Sequence, residues 1–70
     1  MARPDPFPGV GKAELRARID NARLAKSPVD DDAIARMALL EPLPFADIAA
    51  EVHCDRSTVS RHYKRIIRMI

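Results

Sequence analysis

Residues 45–65 read FADIAAEVHCDRSTVSRHYKR, and this stretch predicts two helices joined by a short turn. In its first part, apolar residues recur at the spacing of one helix face, and they are Phe45, Ile48, Ala49 and Val52. The polar residues 53–55 interrupt that pattern. Asp55 then stands where a side chain caps the next helix, which we expect to start at Arg56.

The second helix can continue from Arg56 to Ile70. At 100° per residue, one side of it collects apolar residues within about 60° of one another, and these are Val59, Tyr63, Ile66 and Ile70. The other side is polar and basic, with Ser57, Ser60, Arg61, Lys64, Arg65 and Arg68. We expect Tyr63 to pack in the core rather than to stack on a base.

Two short helices joined by a three-residue turn are typical of a helix-turn-helix. The second helix carries small polar and basic side chains on its outer side, as a helix that reads the DNA major groove requires. The first turns of such a helix face base edges, so the predicted base-reading residues are Arg56, Ser57, Ser60 and Arg61. The predicted phosphate contacts are Thr58, Lys64, Arg65 and Arg68. Among the base readers Arg61 is the leading candidate.

The same residues resemble a known family. The segments 47–52, Asp-Ile-Ala-Ala-Glu-Val, and 56–61, Arg-Ser-Thr-Val-Ser-Arg, look like the helix-turn-helix of region four of bacterial sigma factors. The resemblance covers roughly Asp30 to Ile70 and is closer still to small phage-encoded, sigma-like transcription regulators. It implies binding to promoter or operator DNA through the second helix, with RNA polymerase as a further partner.

Two positions depart from the usual pattern. His53 stands where the turn usually has glycine, a site that requires a positive φ, which histidine tolerates better than most residues. His62 stands where many repressors have an apolar residue, and we expect Tyr63 to make that contact instead. His53 and His62 are expected to be surface histidines, and Cys54 a small core residue.

Charge is distributed unevenly along the chain, although its net value is only +2. Seven basic and all ten acidic residues precede Arg56, a balance of −3, whereas five basic and no acidic residues follow from Arg56 onward, a balance of +5. Such a cationic segment suits a polyanion, of which nucleic acid is the common one. A merely solvated helix face is the alternative.

The rest of the chain predicts an all-α domain of three to four helices. Residues 1–11, rich in proline and glycine, are interpreted as a disordered arm, and residues 12–70 as a single helical domain. Lys12 to Lys26 is expected to form an accessory helix that stops before Pro28. Another helix is expected to begin after the capping Asp30 and to end near Glu41.

Several classes of protein are disfavoured. No apolar run is long enough to span a membrane and no secretory leader is present, so a cytoplasmic location is expected. Cys54 is the single cysteine and has no zinc-site spacing around it, so no metal and no cofactor are predicted. A chain of 70 residues has little room for a catalytic cleft, and no enzymatic activity is expected.

Two questions stay open at this level. The apolar residues Ile67, Met69 and Ile70 need a cover. It is either Leu15 and Ile19 of the first helix, or a second copy in a homodimer formed through this aliphatic surface and the helix of residues 12–26. Other functions also fit the motif, namely a DNA-binding accessory of recombination or packaging, or a protein-binding module that keeps the helix-turn-helix shape.

Overall fold

The computed structural model describes residues 3–70, and in that part of the chain four helices and no strand are present. The helices are α1 (Lys12–Ala22), α2 (Asp31–Leu39), α3 (Phe45–Val52) and α4 (Arg56–Met69). The predicted all-α fold is thus confirmed. Across residues 3–70, no helix has both the length and the apolar character needed to cross a membrane.

α1 is shorter than the sequence predicts, because it ends at Ala22 rather than Lys26. Arg23 takes a left-handed conformation with φ of 50° and terminates the helix. The reversal turns Leu24 inward, where it is buried with Ile19. Burial of a leucine stabilises the fold by about 1.5–3 kcal/mol, more than the helix propensity of the three exposed residues Arg23, Ala25 and Lys26 contributes.

α2 begins as the sequence predicts. The Asp30 side chain accepts a hydrogen bond from the backbone N–H of Ala33 at 2.9 Å, so one of the free amides of the first turn has a partner. The helix ends at Leu39, two residues before the predicted end near Glu41. Its buried residues are Asp31, Ile34, Ala35 and Ala38.

α3 has the predicted bounds, and α4 ends one residue before the predicted Ile70. α4 packs against both α2 and α3, whereas α1 packs mainly against α2. The largest fully buried side chains at the centre come from all four helices and are Ile19, Ile34, Ile48, Val59 and Ile66. Ile67 and Ile70 are half-buried against this core, and Met69 remains 54% exposed.

The described part of the predicted arm, residues 3–11, has no helix or strand but contacts the helices. The Arg3 guanidinium lies 4.4 Å from the ring centroid of Phe45 and 5.3 Å from that of Tyr63. It also donates a hydrogen bond to the backbone oxygen of Ala38 at 3.0 Å. The interpretation of residues 1–11 as disordered stays a prediction, and its first two residues, Met1 and Ala2, lie outside the described part.

Candidate nucleic-acid interface

α4 is held against α3 by side chains on its inner face. Val59, Tyr63 and Ile66 are buried, as the apolar spacing predicts. The Tyr63 ring meets Phe45 edge to face, with centroids 5.1 Å apart and planes at 63°, a geometry favoured by the aromatic quadrupole. The orientation of the outer face of α4 is therefore fixed by packing rather than by the turn alone.

The turn between α3 and α4 shows the backbone geometry expected at the usual glycine site. His53 has φ of 58° and ψ of 40°, in the left-handed region. The backbone N–H groups of His53 and Cys54 both donate to the carbonyl oxygen of Ala49, which closes the end of α3. Cys54 is half-buried against the core, in line with its predicted packing role.

Asp55 caps α4 as predicted. Its carboxylate accepts a hydrogen bond from the Thr58 backbone N–H at 2.9 Å and therefore faces its own helix. Hydrogen bonds from Thr58, and more weakly from Ser57, hold the pKa of Asp55 below its ordinary value, with a smaller contribution from the charge of Arg61. The first turn of α4 is thus ordered before any partner binds.

Most of the predicted site residues lie at the surface of α4. Arg56, Ser57, Arg61, Lys64, Arg65 and Arg68 are exposed, and Thr58 and Ser60 are half-buried. Five of the eight fall within a sector of about 100° on the helix, and we call them the outer stripe: Ser57, Ser60, Arg61, Lys64 and Arg68. The structure therefore brings these five together on one face.

The other three predicted residues lie outside the outer stripe. Arg56 borders a groove of about 890 Å³ that it shares with Arg3, Phe45 and Tyr63 of the arm and the core. Thr58 and Arg65 lie on the flank of α4, rotated about 40–60° from the edge of the stripe. Thr58 also accepts a hydrogen bond through its hydroxyl, at 3.3 Å, from a terminal nitrogen of Arg61.

The basic side chains of the outer stripe, Arg61, Lys64 and Arg68, form no ion pair with residues 3–70. By contrast, Arg36 is bound by Asp20 and Asp32 between α1 and α2. A row of unpaired cations on one helix face attracts a polyanion, and the attraction weakens as salt screens it.

The sequence analysis missed a second group of side chains on the flank of α4. The carboxylate of Asp31, in the first turn of α2, has one oxygen 2.7 Å from Nδ1 of His62. Its other oxygen accepts a hydrogen bond from a terminal nitrogen of Arg65 at 3.3 Å. We call Asp31, His62 and Arg65 the flank cluster.

The flank cluster corrects one expectation and restricts another. His62 was expected to be a surface histidine, but its side chain is only 23% exposed because it packs against Asp31. Arg65 was expected to contact phosphate, and it already has an internal partner. A local signal could not reveal this arrangement, since Asp31 and His62 are 31 residues apart. Asp31 also stands between two other aspartates with ordinary local roles, because Asp30 caps α2 and Asp32 pairs with Arg36 one turn later.

No three His, Cys, Asp or Glu side chains converge as a metal site anywhere from Arg3 to Ile70. Comparisons of the chain with protein-family models, with curated proteins and with solved structures found no match.

Proposed function

We propose that this protein binds double-stranded DNA in a sequence-specific manner and regulates transcription, with α3 and α4 acting as a helix-turn-helix. The observation that carries the proposal is the outer stripe, whose three unpaired cations and two serines share one face of a helix fixed against the core. A helix of this shape fits the major groove of B-DNA, which is about 12 Å wide.

The two ends of the outer stripe have different roles in this proposal. Ser57 and Arg61, in the first two turns of α4, read base edges, and Arg61 pairs with O6 and N7 of a guanine. Ser60 and Arg56 contribute further contacts near the same end. Lys64 and Arg68, one and two turns later, bind backbone phosphates and supply affinity that does not depend on sequence.

The regulatory role rests on the resemblance of α3 and α4 to region four of sigma factors. In that role the protein acts in the cytoplasm at a promoter or operator, and RNA polymerase is a protein partner. A homodimer through Ile67, Met69 and Ile70 remains a proposal of the same kind. Met69 is the large apolar side chain that the fold of residues 3–70 leaves exposed. A second copy of the chain would therefore bury Met69 at the interface.

Selection of bound sequences from a random duplex pool tests the proposal. We expect the unaltered chain to enrich a defined site, and the Arg61→Ala variant to bind with reduced sequence preference, losing about 1–3 kcal/mol of discrimination at one base pair. Arg16→Ala is the matched control, because Arg16 is an exposed arginine of α1 and no part of the outer stripe. An unchanged preference in the Arg61→Ala variant contradicts the assignment of Arg61.

A gel-shift or anisotropy titration across salt tests the wider proposal. Binding through Lys64 and Arg68 releases counterions, so each alanine variant should reduce the salt slope by about one. If the unaltered chain binds no duplex, or binds it without salt dependence, the outer stripe is not a DNA-binding surface.

A further inference from the structure

Asp31 is the one buried charged residue among those that the structure describes, with only 6% of its surface exposed. Removing a carboxylate from water is costly unless it is paired and hydrogen-bonded. Its two neighbours in the sequence have other partners. Asp30 accepts a hydrogen bond from the Ala33 backbone N–H, and Asp32 accepts one from the Arg36 side chain. Asp31 alone turns toward α4, and both of its partners belong to that helix.

The pairing leaves hydrogen-bond donors free at the surface. Arg65 uses one terminal nitrogen toward Asp31 and His62, and its side chain remains 61% exposed. A guanidinium carries five N–H donors in a planar fork, so several still face outward. Nε2 of His62 has no hydrogen-bond partner within residues 3–70. Every buried side-chain nitrogen in that part of the chain has a partner, so Nε2 is open to solvent.

We propose that His62 and Arg65 form a phosphate-binding site on the flank of α4 and that Asp31 is its positioning residue. The ligand is a backbone phosphodiester of the DNA whose groove the outer stripe enters, so the proposal rests on the proposed function. Arg65 contacts the phosphate with its free donors, while His62 faces Asp31 through Nδ1 and borders the same phosphate with its Nε2 edge.

The carboxylate acts by limiting the motion of the Arg65 side chain. A free arginine at a protein surface loses much of its rotamer freedom when it binds an anion, which weakens the contact. Asp31 holds the guanidinium in place before DNA arrives, so less freedom is lost on binding. Lys64 and Arg68 have no such partner within the described chain, so they contribute mainly through charge.

A purely structural flank cluster, which only ties α2 to α4, makes different predictions. Replacing Arg65 would then alter the stability of the fold and leave DNA affinity and its salt dependence unchanged. Replacing Arg65 by lysine separates the two roles further, since lysine keeps the positive charge but lacks the planar fork that binds carboxylate and phosphate together.

Fluorescence anisotropy with the full chain and a random-sequence duplex tests the site across a series of salt concentrations. We expect Arg65→Ala to weaken binding about tenfold and to lower the salt slope by about one. Arg65→Lys should retain the salt slope of the unaltered chain but show most of the loss of affinity expected for Arg65→Ala. Asp31→Asn should weaken binding about threefold, and it should have no further effect when Arg65 is already alanine.

Each result decides the proposal. Wild-type affinity and slope in Arg65→Ala would overturn the site, and additive effects of Asp31→Asn and Arg65→Ala would overturn the positioning role. If Asp31→Asn does not fold, the exposed Arg65 variants still decide the site, and Arg16→Ala serves as the unaffected control. Absence of salt-dependent binding by the unaltered chain overturns the proposed function itself, which the Arg65 results alone cannot do.

Discussion

Asp55 and Thr58 are joined at the start of α4 by a hydrogen bond of 2.9 Å, in which the carboxylate accepts from the backbone N–H. The bond satisfies one of the four amides that lack a partner at the beginning of any helix. It also places a negative charge at the positive end of the helix dipole. The order of the first turn, which carries Arg56 and Ser57 and leads into Ser60 and Arg61, therefore depends on one exposed carboxylate.

The Asp55 cap should make stability depend on pH. The folded state lowers the pKa of Asp55 from its ordinary 3.8, so the stabilisation is fully present above that value and is lost as pH falls through the lower, folded-state pKa. Asp55→Asn keeps a capping oxygen but cannot titrate. Urea unfolding at about pH 7 and about pH 3 should show a smaller difference for Asp55→Asn than for the unaltered chain.

His53→Gly should stabilise the fold. A side chain in the left-handed region, here with φ of 58°, costs roughly 1 kcal/mol that glycine avoids, although the freedom of glycine in the unfolded chain offsets part of the gain. We expect the free energy of unfolding to rise by about 0.5 kcal/mol, measured by chemical denaturation. Ala50→Gly, three residues earlier on the exposed side of α3, should lower it by about 1 kcal/mol.

The elements that the sequence predicts well depend on neighbouring residues. Apolar spacing and the polar residues 53–55 determine the bounds of α3, and Asp30 and Asp55 cap the helices that follow them. These signals are local, because the side chain that caps the start of a helix binds a backbone N–H only three residues later. The positive φ at His53 also follows from the turn.

The elements that the sequence does not predict depend on distant contacts. α1 ends early because Leu24 is buried beside residues from later helices. Asp31 pairs with α4 rather than only with its own helix end. Arg3 reaches Ala38, 35 positions away. In each case the decisive partner is remote in the chain, and helix propensity or capping alone gives a different answer.

Ile34→Ala should destabilise the fold strongly. Ile34 is fully buried in α2, where a smaller side chain leaves a cavity, and such changes cost about 2–5 kcal/mol. Met69→Ala is the matched control, because Met69 is an exposed apolar residue whose replacement should change stability by about 0.5 kcal/mol or less. Thermal unfolding of the two variants measures the difference. A similar loss in both would indicate that Met69 is covered in solution, as in a homodimer.

The ion pair between Asp20 and Arg36 should contribute little to stability. Arg36 donates hydrogen bonds to the carboxylates of Asp32 and Asp20, which raise its pKa, and it is charged in any case. Both side chains of the interhelix pair are partly open to water, where such pairs contribute about 0–1 kcal/mol. Asp20→Asn should lower the free energy of unfolding by no more than about 1 kcal/mol, and added salt should shrink the difference. A larger loss would contradict this reading of the α1–α2 contact.

The edge-to-face contact of Tyr63 with Phe45 has a practical consequence for spectroscopy. The chain has one tyrosine and no tryptophan, so its ultraviolet fluorescence arises at a single point between α3, α4 and the guanidinium of Arg3. Emission from Tyr63 therefore depends on the packing of α4 against α3 and on the contact with Arg3 of the arm, and no attached dye is needed to follow either one. Arg3→Ala would show how much of that signal belongs to the arm.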